Sequence, residues 1–325
     1  MSKVSLSFEK GKSGVPIAVV EGGEYNKDYV YLHDDSFASS KKGGVKEINM
    51  GKHKLGKMPP RKEAEVMRYL NEAFRKGIPI EHLNCDIPGA EEVYADMFHQ
   101  SNKPQTSIHL PAGSHFKLLP STNPDKREIW YIAGASGSGK SYVAKQLSET
   151  YHKFYPDRDI YLVSKLQEDE TLDNAKCPMT RLNPTKLIEN PMKDLEPLRD
   201  SMIIFDDYDT FTGAEGKIIQ QLIDDISVMG RHQNITMLCL THYLTNFKKT
   251  RLMLTEATHF VLYPQSTGAH ALEYLLKTHL GLSKKEILNM KKTGSRFLCI
   301  HKNFPQYYIT ETEASLMNQG EQESE

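Results

Sequence analysis

Residues 134–141 read Gly-Ala-Ser-Gly-Ser-Gly-Lys-Ser and fit G-x-x-x-x-G-K-S at every fixed position. That spacing serves triphosphate chemistry. The glycines let backbone N–H groups turn inward around a β-phosphate, Lys140 reaches the β- and γ-phosphates, and Ser141 offers its hydroxyl to Mg²⁺. The apolar stretch REIWYIA precedes the loop, and SYVAKQLSETYHKF follows it with Val143, Leu147 and Tyr151 at spacing four. A strand before and a helix after are the context the motif needs, and the helix aims its positive end at the anion. A Gly/Ser-rich linker would not explain Lys-Ser at that position. Gly134, Ala135, Ser136, Gly137, Ser138, Gly139, Lys140, Ser141 and Tyr142 are therefore expected to bind ATP.

A second carboxylate site separates a hydrolase from a binder. SMIIFDD (201–207) is an apolar run ending in paired acids. A buried unpaired carboxylate is costly, so the pair needs a use. Asp206 is expected to bind Mg²⁺ as the second metal anchor, and Asp207 to polarise the attacking water as general base. Asp209 reads as an acid marking the strand's exposed end. NITMLCLTH (234–242) ends in Thr241-His242. With a strand order that inserts a sensor strand between loop and acids, Thr241 or His242 lies beside the loop, where it can sense the γ-phosphate or place the water. Arg231 precedes that strand, where a motor ATPase can carry an arginine that reaches a neighbour's γ-phosphate. Arg251, in NFKKTRLML, is the second candidate.

The elements that must hold these residues alternate. DIYLVS (159–164), SMIIFDD, NITMLCLTH and HFVLYP (259–264) are apolar strands like the one before the loop. Between 201–207 and 234–242, EGKIIQQLIDDISVMG places Ile218, Ile219, Leu222, Ile223 and Ile226 on one side of a helix. About five such strands separated by helices predict an α/β P-loop core, a parallel sheet flanked by helices over residues 126–310. That span closes with two helical pieces and a hairpin, SRFLCIHKNFPQYYIT. Residues 1–125 read as a smaller irregular accessory region. It holds a half-buried strand at 4–8 and a helix carrying Val66, Leu70 and Phe74. Residues 311–325 carry five Glu and no Lys or Arg, and read as a disordered acidic tail.

Composition sets limits. A net charge of -1 rules out a bulk-charge argument for nucleic acid, so any contact must come from local patches. Three are present: residues 41–62, with eight Lys/Arg against one acid; FKKTR (247–251); and Lys277, Lys284, Lys285, Lys291, Lys292, Arg296 and Lys302. No base-reading module is visible, so binding is expected to be indifferent to sequence. No apolar run approaches the ~18 residues that cross a bilayer, and the N-terminus lacks a signal-peptide core. The four cysteines are far apart, which suits a reducing compartment.

The segments YIAGASGSGKS, YLVSKLQEDETLD, SMIIFDDYD, MGRHQNITMLCLTHYL, TRLMLTEATHFVLYPQSTG and TGSRFLCIHKNFP occur in one order over residues 127–310. In this the chain resembles the FtsK/HerA-like genome-packaging ATPases of large double-stranded DNA viruses. The resemblance implies a homo-oligomeric ring that uses ATP to push double-stranded DNA into a capsid. It also implies capsid protein as a partner, no membrane, and a place in the host-cell cytoplasm and the virion. It carries Lys140 and Ser141 as Walker A, Asp206 and Asp207 as Walker B, and Arg231 as the trans-acting arginine. Two departures stand out: relatives often carry glutamate at Asp207 and glutamine where Thr241-His242 stands. The alternatives are a P-loop kinase, for which 182–200 makes a poor lid with Arg199 its only arginine, and a helicase-like replication ATPase.

Overall fold

The computed structural model describes residues 4–11, 13–34, 59–76, 78, 80–101, 105–246 and 250–317. Most of the basic run 41–62 and the lysines of FKKTR lie outside the described residues. By contacts the chain divides into Met1–Lys117 with Thr312–Glu325, and Leu118–Glu311.

The first unit is more regular than expected. Strands β1 (Ser5–Ser7), β2 (Val15–Glu21) and β3 (Tyr29–His33) precede helices α1 (Pro60–Lys76) and α2 (Ala90–Ser101), then β4 (Ser107–His109) and β5 (His115–Leu118). The strand order is β1-β3-β2-β5, with β3 antiparallel to both β1 and β2. Val66, Leu70 and Phe74 of α1, one helical turn apart, bury against Val93, Tyr94 and Met97 of α2. Tyr94 keeps its hydroxyl satisfied by donating to the Ile78 carbonyl at 2.6 Å.

The second unit carries the sheet that positions the site. Its elements in order are β6 (Ile129–Ala133), α3 (Lys140–Phe154), β7 (Ile160–Val163), β8 (Thr180–Arg181), α4 (Pro184–Glu189), β9 (Met202–Phe205) and α5 (Gly213–Met229). Then come β10 (Thr236–Thr241), α6 (Arg251–Glu256), β11 (His259–Leu262), α7 (Ala269–Tyr274) running into a π-helical turn, α8 (Lys284–Lys292), β12 (Leu298–His301) and β13 (Tyr307–Ile309). The strand order is β13-β12-β11-β6-β10-β9-β7-β8. β11, β6, β10, β9, β7 and β8 run parallel, β12 is antiparallel to β11, and β13 is antiparallel to β12. The α/β class is as expected, with more strands than five. Every residue of β6, β9, β10 and β11 is buried, as in a parallel sheet covered on both faces.

Residues 311–317 are not the disordered tail expected from residue 311, and 318–325 lie outside the described residues. β14 (Glu313–Leu316) pairs antiparallel with β4, with Ala314 opposite Ile108, both fully buried. Alternating Ala314 and Leu316 provide an apolar face that outweighs the acidic composition around them.

Candidate active site

β10 lies between β6 and β9, with Thr241 opposite Ala133 and Cys239 opposite Phe205. The end of the sensor strand therefore stands between the loop that leaves β6 and the acids that leave β9. The loop is tied to it, since the Gly134 N–H donates to the Thr241 carbonyl at 3.1 Å.

The loop geometry needs its glycines. Gly139, which caps α3, holds φ at +109°, a conformation L side chains rarely adopt. A Cβ on Gly134 would stand 2.6 Å from the ring of buried Tyr263 and 2.7 Å from Ser138 Oγ. Ala135, Ser136 and Gly137 are exposed, Ser138, Gly139 and Ser141 are half-buried, and Tyr142 is 57% exposed. Tyr142 Oη accepts from Gln146 one turn on, at 3.0 Å.

Lys140 is buried at the first position of α3. Its Nζ donates to the Gly134 carbonyl at 3.1 Å and the Ala135 carbonyl at 3.4 Å, and stands 3.4 Å from Asp207 Oδ1. The loop cation and a strand-end acid thus meet directly.

The two acids diverge because the chain turns sharply after β9. Asp207 adopts left-handed backbone, φ +42°, which Asp tolerates better than most residues. Asp206 stays buried, and its Oδ2 accepts from Ser164 Oγ at 2.9 Å. Burial pushes the Asp206 carboxyl up to about 6; the Ser164 hydrogen bond opposes this and the neighbouring Asp207 charge adds to it. Ser164 follows β7, three strands from β6 on the same carboxyl edge. As the polar residue closing DIYLVS it was legible, but only the strand order shows which acid it serves.

Asp209 is not an exposed strand-end acid. The turn after Asp207 carries it back under His242, and its side chain is 5% exposed. Asp209 Oδ2 is 3.4 Å from His242 Nδ1 and accepts from the His242 backbone N–H at 3.3 Å. His242 Nε2 faces Asp207 Oδ2 at 3.6 Å. Thr241, fully buried, accepts from the Tyr243 N–H through Oγ1, which turns the chain at the strand end. His242, rather than Thr241, faces the acids.

Arg231 is brought to none of these groups. It is exposed in the turn between α5 and β10, at the amino edge of the sheet. β10 runs Thr236–Thr241, about 17 Å at ~3.3 Å per residue, between that turn and the loop. Arg127 anchors the turn by donating to the Ile226 and Ser227 carbonyls at 2.6 and 2.8 Å, closing the C-terminus of α5. Arg251 opens α6 and is exposed.

The third basic patch is only partly free. Lys277, Lys284, Lys285, Lys292 and Arg296 are exposed. Lys291 pairs with Glu273 at 3.5 Å, and Lys302 donates to the Leu254 and Thr255 carbonyls at the C-terminal end of α6.

A strand, glycine loop and helix at the carboxyl edge of a parallel sheet, with a further strand inserted before the acid-bearing one, make this a P-loop protein. No protein-family model matches the chain. Uncharacterized protein V3 of Sputnik virophage is 33% identical over 224 residues, covering 67% of this chain and 87% of that protein. The chain belongs to the family of that virophage protein. Among solved structures, the genome packaging NTPase B204 from Sulfolobus turreted icosahedral virus 2 in complex with ATP-gammaS aligns over 58% of this chain and 97% of that one. Its identity is 15% and its TM-score 0.40. The pCW3 conjugation coupling protein TcpA aligns over 91% and 77%, at 10% identity and TM-score 0.40.

Proposed function

We propose that the protein is a Mg²⁺-dependent ATPase that works as a homo-oligomeric ring and translocates double-stranded DNA in viral genome packaging. The observation that carries this reading is the 3.4 Å contact between Lys140 Nζ and Asp207 Oδ1. It brings the loop's phosphate-binding cation and a strand-end acid to one place, where a triphosphate and its attacking water can be shared.

In this reading Gly134 to Tyr142 cradle the phosphates, and Lys140 exchanges its carboxylate partner for the β- and γ-phosphates. Asp207, released, orients and deprotonates the water, with His242 beside it at the γ-phosphate end. The residues fit a magnesium ion. Asp206 is a buried carboxylate whose ionisation is costly without a nearby cation, and Ser141 opens the same helix as Lys140. Ser141 and Asp206 would hold it, and a bound Mg²⁺ supplies charge neutralisation on the phosphate oxygens.

Arg231 sits about one strand length from its own loop, which suits action on a neighbour's nucleotide and not its own. Exposed Lys277, Lys284, Lys285, Lys292 and Arg296 offer charge to a DNA backbone without a means of reading bases. The first unit is the part left for docking on capsid protein. The place of action follows as the host cytoplasm where capsids fill, and the virion. Among the described residues no helix is long and apolar enough to cross a membrane.

ATPase rate measured against protein concentration, with and without double-stranded DNA, tests the reading. The expected result is a rate per subunit that rises with concentration, is stimulated by DNA and loses that stimulation as salt rises. A concentration-independent rate indifferent to DNA would overturn the motor.

A further inference from the structure

We infer that Asp209 is a positioning residue for catalysis, acting through His242 on the Asp207 carboxylate. This rests on the ATPase reading above and extends it to a residue that the Walker B pair does not include.

Three groups stand in line. Asp209 Oδ2 lies 3.4 Å from His242 Nδ1, and His242 Nε2 lies 3.6 Å from Asp207 Oδ2. An imidazole with a carboxylate at each nitrogen is held in ring orientation and tautomer by the more buried of the two. Here that is Asp209, with a side chain 5% exposed against 36% for Asp207. Asp209 also accepts from the backbone N–H of His242 at 3.3 Å, so it grips both the ring and the chain that carries it. His242 is thereby fixed where β10 ends, with Nε2 aimed at the carboxylate that Lys140 contacts from the other side.

The same geometry explains the spacing D-D-x-D. Left-handed Asp207 and the short 3₁₀ turn Tyr208–Thr210 bring Asp209 back beneath the end of β10. The turn is secured by Thr210, whose N–H and Oγ1 donate to the Asp207 carbonyl at 2.9 and 2.8 Å. Tyr208 is buried next to it. The contacts that join Asp209 to the site run to His242. A relay through the histidine requires the effect of Asp209 to vanish when the histidine is gone, which sets it apart from an acid that merely holds the turn together.

A double-mutant cycle on the full chain tests this, with steady-state ATPase as the readout. Asp209→Asn keeps size and an acceptor for the His242 N–H. It is expected to lower kcat about tenfold or more, a part of the ~10²–10⁴ a positioned base contributes, with KM for ATP within about twofold. In a His242→Gln background the same substitution should lower kcat no further. An unchanged kcat in Asp209→Asn, or an equal loss in the His242→Gln background, would overturn the inference. Should Asp209→Asn fail to fold, Asp209→Ser in the wild-type and His242→Gln backgrounds decides by the same comparison: a kcat loss confined to the wild-type background supports the relay, and no loss, or an equal loss in both, overturns it. Wild-type protein without ATP turnover would instead overturn the ATPase reading itself, which keeps the two failures distinct.

Discussion

Asp207→Asn should split ATP binding from ATP turnover in opposite directions. Lys140 Nζ is 3.4 Å from Asp207 Oδ1, so the carboxylate is expected to compete with incoming phosphates for the cation. At that separation two unit charges interact by about 1.2 kcal/mol in water and about 5 kcal/mol at an effective dielectric of 20. Asp207 is 36% exposed, which places the contact near the lower figure. Removing the charge then tightens ATP binding by roughly 5- to 10-fold, since 1.4 kcal/mol is tenfold. With Asp207 as the proposed base, the substitution should lower kcat by about 10²–10⁴. Fluorescent-nucleotide titration and steady-state turnover on the same preparation measure both. If Asp207→Asn weakens nucleotide binding, the carboxylate is not the competitor that the distance implies. If it keeps kcat, Asp207 is not the base.

Arg231→Ala should lose most turnover on its own and recover part of it when mixed with Asp207→Asn subunits. In the proposed ring, mixing would create interfaces where an intact site meets an intact arginine. Turnover of the mixture equal to the sum of the two separate variants would refute action in trans. Glu128 supplies a pH test away from the site. It is buried just before β6, accepts from Ser121 N–H at 2.9 Å and Trp130 Nε1 at 3.1 Å, and burial pushes its carboxyl up to about 7. His259 stands 4.0 Å away but is itself driven well below its usual range by burial, so the contact is no ion pair. Because the folded carboxyl holds its proton above the unfolded value, stability is expected to fall as pH rises from about 4.5 to about 7. Glu128→Gln should therefore raise Tm at pH 8 and give no gain near pH 4, and equal shifts at both pH values would contradict the assignment.

Much of the core was legible because it is local. The loop is contiguous, its strand and helix adjoin it, and the helix declares itself through Val143 and Leu147, buried at spacing four as expected. The buried strands were equally plain as apolar runs. The first unit was harder. β2, β4, β5 and α2 are short or weakly patterned, and only pairing and the shared core of Tyr94, Leu70 and Phe74 define them. The acidic tail misled for the same reason, since composition averages over fifteen residues and hides the two, Ala314 and Leu316, that complete a strand pair.

By itself the sequence pointed to the ligand's chemistry: a glycine loop with Lys140 and Ser141 has the pattern of an anion cradle, and Asp206-Asp207 after a buried strand calls for polar or charged partners. Tertiary structure alone decided who meets whom. Ser164 reaches Asp206, Asp209 turns back under His242, and Lys140 finds Asp207 because four parallel strands end along one edge. Contacts between residues tens of positions apart depend on strand order and on the left-handed turn at Asp207. Neither leaves a periodic signal in the chain, because side-chain pattern records burial and not the neighbour across the sheet.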